Sequence, residues 1–332
     1  MPGERGGRGS ASGSASRRAV PGRDAPPPAA PRRATPGRDV RRKVYSQNFL
    51  IDRRAIEALV EGSGVGEGDL VLDIGAGNGL ITQALIRRGA RVVAVEKDPA
   101  LARRLRATFG PGPGPGVTVV EDDVLTTKLP AEPFRVVANI PFGITTKILR
   151  RLLGEAGTLT RADVIVQAEV ARKRAAGRGA RGGGTLLNAC WEPWFEFGTG
   201  VRIPATAFRP RPRVDAAVLI VRRRDQPLLG AASEREYIEF VSGVFTGARP
   251  SVLSAVSRLI PRTRFAGVAA ARGFPLDAMP SELDVGDWVE LFLTARPGRP
   301  ARPKPAARTG TPARPGRATP TTPSTRSRSA PP

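Results

Sequence analysis

Three alternating glycines lie between a segment with the pattern of a strand and a segment with the pattern of a helix. The apolar run at residues 70–74 is typical of a strand buried on both faces, and residues 80–88 have the apolar spacing of a helix. Gly75, Gly77 and Gly79 give the backbone between them the freedom to turn tightly and to approach a ligand. This order predicts an α/β fold with a ligand site at the carboxyl ends of its strands.

The alternation of strand and helix patterns continues along the chain. It extends from residue 55 to about residue 167, which predicts a parallel sheet with helices on both faces. A late strand is predicted at residues 217–221, and from about residue 226 onward the pattern is helical. We therefore predict a Rossmann-like sheet domain at residues 43–224 and a small C-terminal helical domain, expected to bind RNA, at residues 225–295.

Most of the excess basic charge lies at the two ends of the chain. Lys and Arg number 53 and Asp and Glu 30, which gives a formal net charge of +23. Residues 1–42 and 296–332 are rich in Gly, Pro and Arg and poor in large apolar residues, so we expect them to be disordered basic tails. Two explanations of these tails stay open: attraction to a polyanion such as RNA, and the compositional drift of a GC-rich genome.

The residue types that are missing exclude several kinds of chemistry. The chain has no histidine, which rules out a Ser-His-Asp machine and an imidazole metal ligand. Its one cysteine, Cys190, rules out an internal disulfide and a CxxC zinc site. With no long apolar stretch and no signal-peptide pattern, we expect a cytoplasmic protein without a membrane or metal partner. The groups that remain available for chemistry are carboxylates, amides, backbone groups and a bound cofactor.

Carboxylates at the ends of two further strands indicate which cofactor the glycine loop serves. The loop has Leu80 where a dinucleotide fingerprint has its third glycine, so a pyrophosphate site is not expected. Glu96 ends the second strand and suits the ribose hydroxyls, although a solvated strand-end carboxylate is the alternative. Asp122 and Asp123 end the third strand, where an acceptor suits an adenine amino group. Together these features predict S-adenosylmethionine.

The fourth strand ends in the motif Asn-Ile-Pro-Phe at residues 139–142, which suits an adenine amine as methyl acceptor. The Asn139 side-chain oxygen and the Ile140 carbonyl can each accept a proton of the amine, which directs its lone pair toward the methyl group. Pro141 fixes the turn, and Phe142 offers a face on which an extruded base can stack. Catalysis would consist mainly of positioning, without a general base.

Two groups of basic residues are candidates for RNA contact. Arg172, Lys173 and Arg174 form one cluster, and Arg209 and Arg211 alternate with prolines in an extended segment. Either group could bind phosphates, which position an RNA without reading its sequence. A charge run is also typical of a solvated face, and both interpretations stay open.

At this point the sequence resembles the rRNA adenine N(6)-methyltransferases, and most closely their erythromycin-resistance (Erm) branch. The resemblance spans residues 43–295. The family's motifs follow one another here in the family's order: YSQNFL at 45–50, GAGNG at 75–79, Glu96, DDVL at 122–125, NIPF at 139–142 and FRPRPRV at 208–214.

The resemblance implies roles for individual residues. Asn48 and Leu50 would contact the cofactor, Gly75 and Gly77 would belong to its binding loop, and Glu96 would hold the ribose. Asp123, with Asp122 as the alternative, would contact the adenine, and Asn139 would contact both the cofactor and the target amine. The implied reaction is mono- or dimethylation of one adenine of 23S rRNA by a monomer, on free rRNA or an assembling large subunit. This modification confers resistance to macrolides, lincosamides and streptogramin B.

Three other functions are alternatives to this one. The first is a housekeeping dimethyltransferase of 16S rRNA, whose members more often have Leu and Tyr where this chain has Ile140 and Phe142. The second is a non-catalytic RNA-binding assembly factor, which would have no need of an intact Asn139 or glycine loop. The third is a small-molecule methyltransferase, which the basic tails and the stacking motif disfavour.

Overall fold

The structure is a computed structural model, and it describes residues 48–110, 116–155, 157–176, 184–247 and 251–296. The expected N-terminal tail, residues 1–42, lies outside the described residues, as does almost all of the expected C-terminal tail. Within the described part of the chain, none of the helices is long and apolar enough to cross a lipid bilayer.

The strands form a large sheet and a short ribbon. In chain order they are β1 (Phe49–Leu50), β2 (Leu70–Ile74), β3 (Arg91–Glu96), β4 (Val117–Glu121), β5 (Phe134–Asn139), β6 (Leu159–Gln167), β7 (Phe195–Ile203), β8 (Phe208–Arg209) and β9 (Ala216–Arg223). The sheet has the order β4-β3-β2-β5-β6-β9-β7, and β1 pairs with β8 in the ribbon. Strands β4, β3, β2, β5 and β6 are parallel, so their carboxyl ends meet at one edge.

Helices cover both faces of this sheet, as predicted. In chain order they are α1 (Arg53–Ser63), α2 (Leu80–Ile86), α3 (Pro99–Phe109), α4 (Thr145–Glu155), α5 (Ala168–Ala175), α6 (Leu186–Trp191), α7 (Glu234–Thr246), α8 (Val252–Val256), α9 (Arg262–Arg272) and α10 (Val285–Ala295). Alternate residues of β2 enter two separate buried apolar clusters. Val71 belongs to the cluster that includes residues of α1, α2 and α3, and Leu72 belongs to the cluster that includes residues of α4 and the C-terminal helices. The strand is therefore buried on both faces, which explains its continuous apolar run.

The sheet continues beyond its parallel part with two antiparallel strands. The late strand predicted at residues 217–221 is β9, which pairs antiparallel with β6, and β7 pairs with β9. Strand β7 was not predicted, because Gly198 and Gly200 interrupt its pattern and its second half is largely exposed. A side chain at position 200 would lie 3.1 Å from Val218, so the backbone of β7 approaches its neighbour closely there.

Some predicted element ends were wrong by a few residues. Helix α2 ends at Ile86 rather than at residue 88, so Gly89, with φ +79°, lies in the following turn and is not the cap. Strand β4 ends at Glu121, and Asp122 and Asp123 come directly after it. The start of α1 is as predicted: the Asp52 side chain accepts hydrogen bonds from the backbone N–H groups of residues 54 and 55, at 2.8 and 3.1 Å.

The β1–β8 ribbon holds the first described residues against the carboxyl edge of the sheet. Phe49 pairs with Arg209 and Leu50 with Phe208, and the N–H of Ile51 donates to the Ala207 carbonyl at 2.9 Å. Leu50 is buried in the core cluster of this face. Asn48, which precedes β1, is thereby brought beside the end of β5.

The C-terminal helices share an aromatic core with the sheet. The Tyr237 hydroxyl on α7 donates to the Ala189 carbonyl at 2.9 Å, and the Tyr237 ring lies edge-on to Trp194, with centroids 5.5 Å apart. The Phe292 ring on α10 also lies edge-on to Tyr237, with centroids 5.2 Å apart. The domain boundary at residue 225 stays a prediction.

Candidate functional site

A cavity opens where β2, β3, β4 and β5 end. Its empty space, including the solvent-filled mouth, is about 780 Å³. The residues that line it come from the ribbon, the glycine loop and the segments that follow the four strands. They are Asn48, Phe49, Ile74, Gly75, Val95, Glu96, Lys97, Asp122, Asp123, Val124, Asn139, Ile140, Pro141, Phe142 and Ile144.

The glycine loop forms an open floor on one side of this cavity. Gly75 has φ +69°, and a Cβ atom there would meet no protein atom within 4 Å. Because Gly75 lines the cavity, that free space is available to a ligand that approaches the backbone. Gly77 plays a different part: it has φ +55° and lies under Phe49, whose ring would be 3.0 Å from an added Cβ. Gly77 is therefore not among the lining residues.

Glu96 is buried, and backbone N–H groups hold its carboxylate in place. Its side chain is 3% exposed, which excludes the alternative of a solvated strand-end carboxylate. One oxygen accepts the N–H of Gly77 at 2.9 Å and the other accepts the N–H of Asp98 at 2.9 Å. A carboxylate offers about four acceptor positions. Glu96 can thus accept further hydrogen bonds from a ligand while it stays attached to the glycine loop.

A second carboxylate, Asp123, lies at another wall of the cavity and pairs with Lys97. The Lys97 Nζ atom donates to Asp123 Oδ2 at 2.6 Å, and the N–H of Leu125 donates to Oδ1 at 2.9 Å. The hydrogen bond from Lys97 lowers the pKa of Asp123 below its usual value, and the Leu125 N–H lowers it further. Asp122 uses its Oδ1 atom to accept the N–H of Asp123 at 2.7 Å, which shapes the turn after β4.

The motif at residues 139–142 lines the cavity at the end of β5, the strand next to β2. The Asn139 side-chain N–H donates to the Asn48 carbonyl at 2.7 Å, which fixes the orientation of the amide. The Asn139 Oδ1 atom accepts no hydrogen bond from a described residue and is free for another donor. Ile140 is buried at 1% exposure, and the half-buried ring of Phe142 contacts Phe208 edge-on, with centroids 6.5 Å apart.

The cavity brings together most, but not all, of the residues expected to bind the cofactor. The cavity is lined by Asn48, Gly75, Glu96, both aspartates and the whole 139–142 motif. The side chain of Leu50, in contrast, packs in the core. Phe49, Lys97 and Val124 also line the cavity and were not predicted as site residues. Each of the three is next in sequence to a predicted residue, and this adjacency is the sequence feature from which they could have been predicted.

Under the glycine loop, Asp73 is an ionisable group with an unusual environment. It is 1% exposed, and its Oδ2 atom accepts a hydrogen bond from the Thr82 hydroxyl at 2.6 Å. Its Oδ1 atom has no hydrogen-bond partner among the described residues. Burial raises the pKa of Asp73 to about 7, the Thr82 hydrogen bond opposes that rise, and the negative charge of Glu96 adds to it.

Replacing Asp73 by Asn is expected to remove a pH dependence from the stability of the fold. The folded protein holds the Asp73 proton more tightly than the unfolded chain does, so the stability that this proton contributes is lost as pH rises toward 7. The free energy of unfolding of D73N minus that of the unaltered protein should rise by about 1.4 kcal/mol per pH unit up to about pH 7. Above that pH the difference should stay constant. Urea unfolding at several pH values between about 5 and 8 measures this, and a constant difference would contradict it.

The basic residues proposed for RNA contact differ in accessibility. Arg172 and Lys173 on α5 are exposed, as are Arg209 and Arg211. Arg174 is buried at 8% exposure, and its guanidinium donates to the hydroxyls of Thr185 and Thr146, both at 3.1 Å. In this structure Arg174 therefore ties α5 to its neighbours and does not face the solvent.

The ligand chemistry of the cavity suits S-adenosylmethionine better than a dinucleotide. Its lining has three carboxylates, from Glu96, Asp122 and Asp123, against one lysine. Carboxylates accept hydrogen bonds from ribose hydroxyls and an adenine amine, and they attract cationic groups, but they repel a pyrophosphate. In the part of the chain that the structure describes, no group of three His, Cys, Asp or Glu side chains could hold a metal ion.

Comparison with known proteins gives consistent similarities. The family model described as "Ribosomal RNA adenine dimethylase" matches residues 38–293. The chain is 39% identical over 268 residues to the mycinamicin-resistance protein MyrB of Micromonospora griseorubida, with 80% of this chain and 83% of that protein covered. It is 35% identical over 222 residues to the ribosomal RNA small subunit methyltransferase A of Shouchella clausii, with 64% and 74% covered.

A solved structure is similar over most of the chain. The crystal structure of the 23S rRNA methyltransferase ErmE matches with a TM-score of 0.66 and 34% sequence identity, covering 75% of this chain and 99% of that one. Sequence and fold thus point to the same group of proteins.

Proposed function

Since this chain belongs to the ribosomal RNA adenine dimethylase family, we propose that it methylates the N6 amine of one adenine of 23S rRNA. S-adenosylmethionine is the methyl donor, and the protein acts as a monomer in the cytoplasm, on free rRNA or an assembling large subunit. The expected consequence is resistance to macrolides, lincosamides and streptogramin B. Similarity to a mycinamicin-resistance protein and to a 23S rRNA methyltransferase supports this choice of substrate.

One observation carries the proposal: the Asn139 amide is fixed by its hydrogen bond to the Asn48 carbonyl at 2.7 Å. With its N–H group held in this way, the Asn139 oxygen is a preorganised acceptor in a cavity that also contains the glycine loop and Glu96. An adenine amine is a poor nucleophile because its lone pair is delocalised into the ring. Acceptors that hold both of its protons keep the lone pair directed at the methyl group, which is catalysis by orientation.

The remaining residues of the motif complete the binding of the target base. The Ile140 carbonyl is the second acceptor for the amine protons, and Pro141 sets the direction of the turn. Phe142 lies at the cavity with its ring supported edge-on by Phe208, and stacking of the extruded adenine on this ring contributes about 1–3 kcal/mol.

Glu96, Gly75 and Asp123 would hold the cofactor. Glu96 accepts hydrogen bonds from the ribose hydroxyls, Gly75 lets the cofactor approach the backbone, and Asp123 accepts one from the adenine amine. The cofactor supplies an electrophilic methyl group on a sulfonium centre. The carboxylates around the cavity favour that positive charge.

Primer extension on rRNA from cells that make the protein tests the target directly. A methylated adenine that stops the polymerase at one position of 23S rRNA would support the proposal. A stop only in 16S rRNA would favour the housekeeping dimethyltransferase. Because N6-monomethyladenine still forms a base pair, mass spectrometry of the rRNA nucleosides completes the test, and no added methyl group on adenine in either RNA would favour a non-catalytic assembly factor.

The exposed arginines of the segment after β8 give a separate prediction. Phe208 supports the Phe142 ring, and Arg209 and Arg211 follow it in sequence as exposed side chains. Log affinity for rRNA falls as log salt rises, and in the double variant R209Q/R211Q this slope should become shallower by about 1.5. The reason is that each lost phosphate contact removes about 0.7–0.9 from the magnitude of the slope. Filter binding over a range of salt concentrations measures the slope.

A matched control for this experiment lies on α3. Arg103 and Arg104 are also adjacent exposed arginines, and R103Q/R104Q removes the same charge from a helix that contributes no residue to the cavity lining. If both double variants change the slope equally, the effect is one of net charge and the segment after β8 has no special role.

A further inference from the structure

Lys97 is a cavity residue to which the reaction described above gives no task. It follows Glu96 directly, lines the cavity, and donates to Asp123 Oδ2 at 2.6 Å. The Lys97 side chain is 68% exposed and that of Asp123 is 27% exposed. Their ion pair therefore joins the end of β3 to the turn after β4 at the rim of the cavity.

The segment that carries Asp123 is held from its other side by Arg151. The Arg151 guanidinium donates to the backbone carbonyls of Val124 and Thr127, so the backbone after Asp123 is fixed to α4. The side chain of Asp123 is fixed separately, by Lys97 on Oδ2 and by the Leu125 N–H on Oδ1. Arg151 thus fixes the backbone by hydrogen bonds and adds its charge near the carboxylate. Among the described residues, Lys97 is the hydrogen-bond donor to Asp123 Oδ2.

We propose that Lys97 is a positioning residue for the purine end of the cofactor, because its ammonium group holds the Asp123 carboxylate where it accepts the purine amine. This inference rests on the proposed function, which assigns the purine amine to Asp123. Each Asp123 oxygen keeps a second acceptor position beside the bond it already makes. The amine can therefore bind without displacing Lys97.

Two ligands separate this role from a general effect on the fold. S-adenosyl-L-homocysteine carries the amine at position 6 of its purine. Its 6-deamino analogue has a hydrogen atom in place of that amine and is otherwise the same. Lys97→Met removes the charge and keeps the length of the side chain, whereas Lys97→Arg keeps a donor for the carboxylate. The control is Arg91→Met, which removes an ion pair with Glu132 of 2.9 Å at the opposite end of β3.

Isothermal titration calorimetry with each ligand gives the test. We expect K97M to raise the Kd of S-adenosyl-L-homocysteine about fivefold, the upper range for a partly exposed pair, and to change the Kd of the deamino analogue less than twofold. K97R should restore most of the affinity, and R91M should leave both values unchanged. Circular dichroism confirms that each variant is folded.

Other outcomes would overturn the inference. An unchanged Kd in K97M means that Lys97 does not position the carboxylate, and a lower Kd means that it obstructs the purine site. Equal losses for both ligands mean that Lys97 acts on something other than recognition of the amine. If the unaltered protein binds neither ligand, the proposed function itself fails, which is distinct from a failure confined to Lys97.

Discussion

Asn139→Ala is expected to lower the single-turnover rate of methyl transfer about 10³-fold while the affinity for rRNA stays within about twofold of normal. The loss follows from removing a preorganised polar group that acts on the reacting atoms, which typically costs a factor of about 10²–10³. It reaches the top of that range because the same amide also makes the 2.7 Å hydrogen bond to the Asn48 carbonyl. Transfer of a radiolabelled methyl group at saturating RNA and cofactor measures the rate.

Two further variants separate the acceptor from the hydrogen bond that orients it. Asn139→Asp keeps an acceptor oxygen but replaces the N–H donor with a second oxygen, which the Asn48 carbonyl repels. If orientation of the amide matters, N139D should be nearly as slow as N139A. Gln83→Ala, at an exposed amide of α2 that does not line the cavity, is the control and should keep a normal rate. Near-normal turnover by N139A would exclude the role given to this residue.

The sequence was sufficient to predict that the candidate site residues meet at one edge of the sheet, because these residues end or follow parallel strands. Gly75, Glu96 and Asn139 each follow or end a buried apolar run, and a parallel sheet brings such ends to one edge. Their positions at the ends of successive strands were therefore enough to predict that these residues lie close together in the fold. The same reasoning could not predict β7, since its glycines and exposed positions hide the alternation of a strand.

Contacts between side chains that are far apart in sequence were beyond the reach of pattern analysis. The cluster at residues 172–174 has the composition of a solvated basic face, yet Arg174 is buried against two threonine hydroxyls. Leu50 sits in a motif whose resemblance implied a cofactor contact, but the β1–β8 pairing turns its side chain into the core. The pairing of Lys97 with Asp123 joins residues that follow two different strands, and only the folded arrangement reveals it.

Glu96 combines two tasks that a substitution can separate. It is an acceptor available to the cofactor, and it ties the glycine loop to the turn after β3 through the N–H groups of Gly77 and Asp98. Loss of the carboxylate leaves both N–H groups without this acceptor, which costs about 1–3 kcal/mol for each group that stays buried. The variants are therefore compared well below their unfolding temperatures.

In Glu96→Ala we expect the Kd of S-adenosyl-L-homocysteine to rise at least about 100-fold, because two charge-assisted hydrogen bonds to the ribose are lost. Glu96→Gln keeps one acceptor oxygen and places an NH₂ group against a backbone donor, so an increase of about tenfold is expected. Glu132→Gln, at an exposed glutamate that pairs with the start of β3, is the control. Calorimetric affinities for E96A and E96Q that match that control would exclude Glu96 from the cofactor site. The loss of the Glu96 charge should also lower the pKa of Asp73, since that charge contributes to raising it. The pH dependence of stability in E96Q therefore provides an independent check that the two carboxylates interact electrostatically.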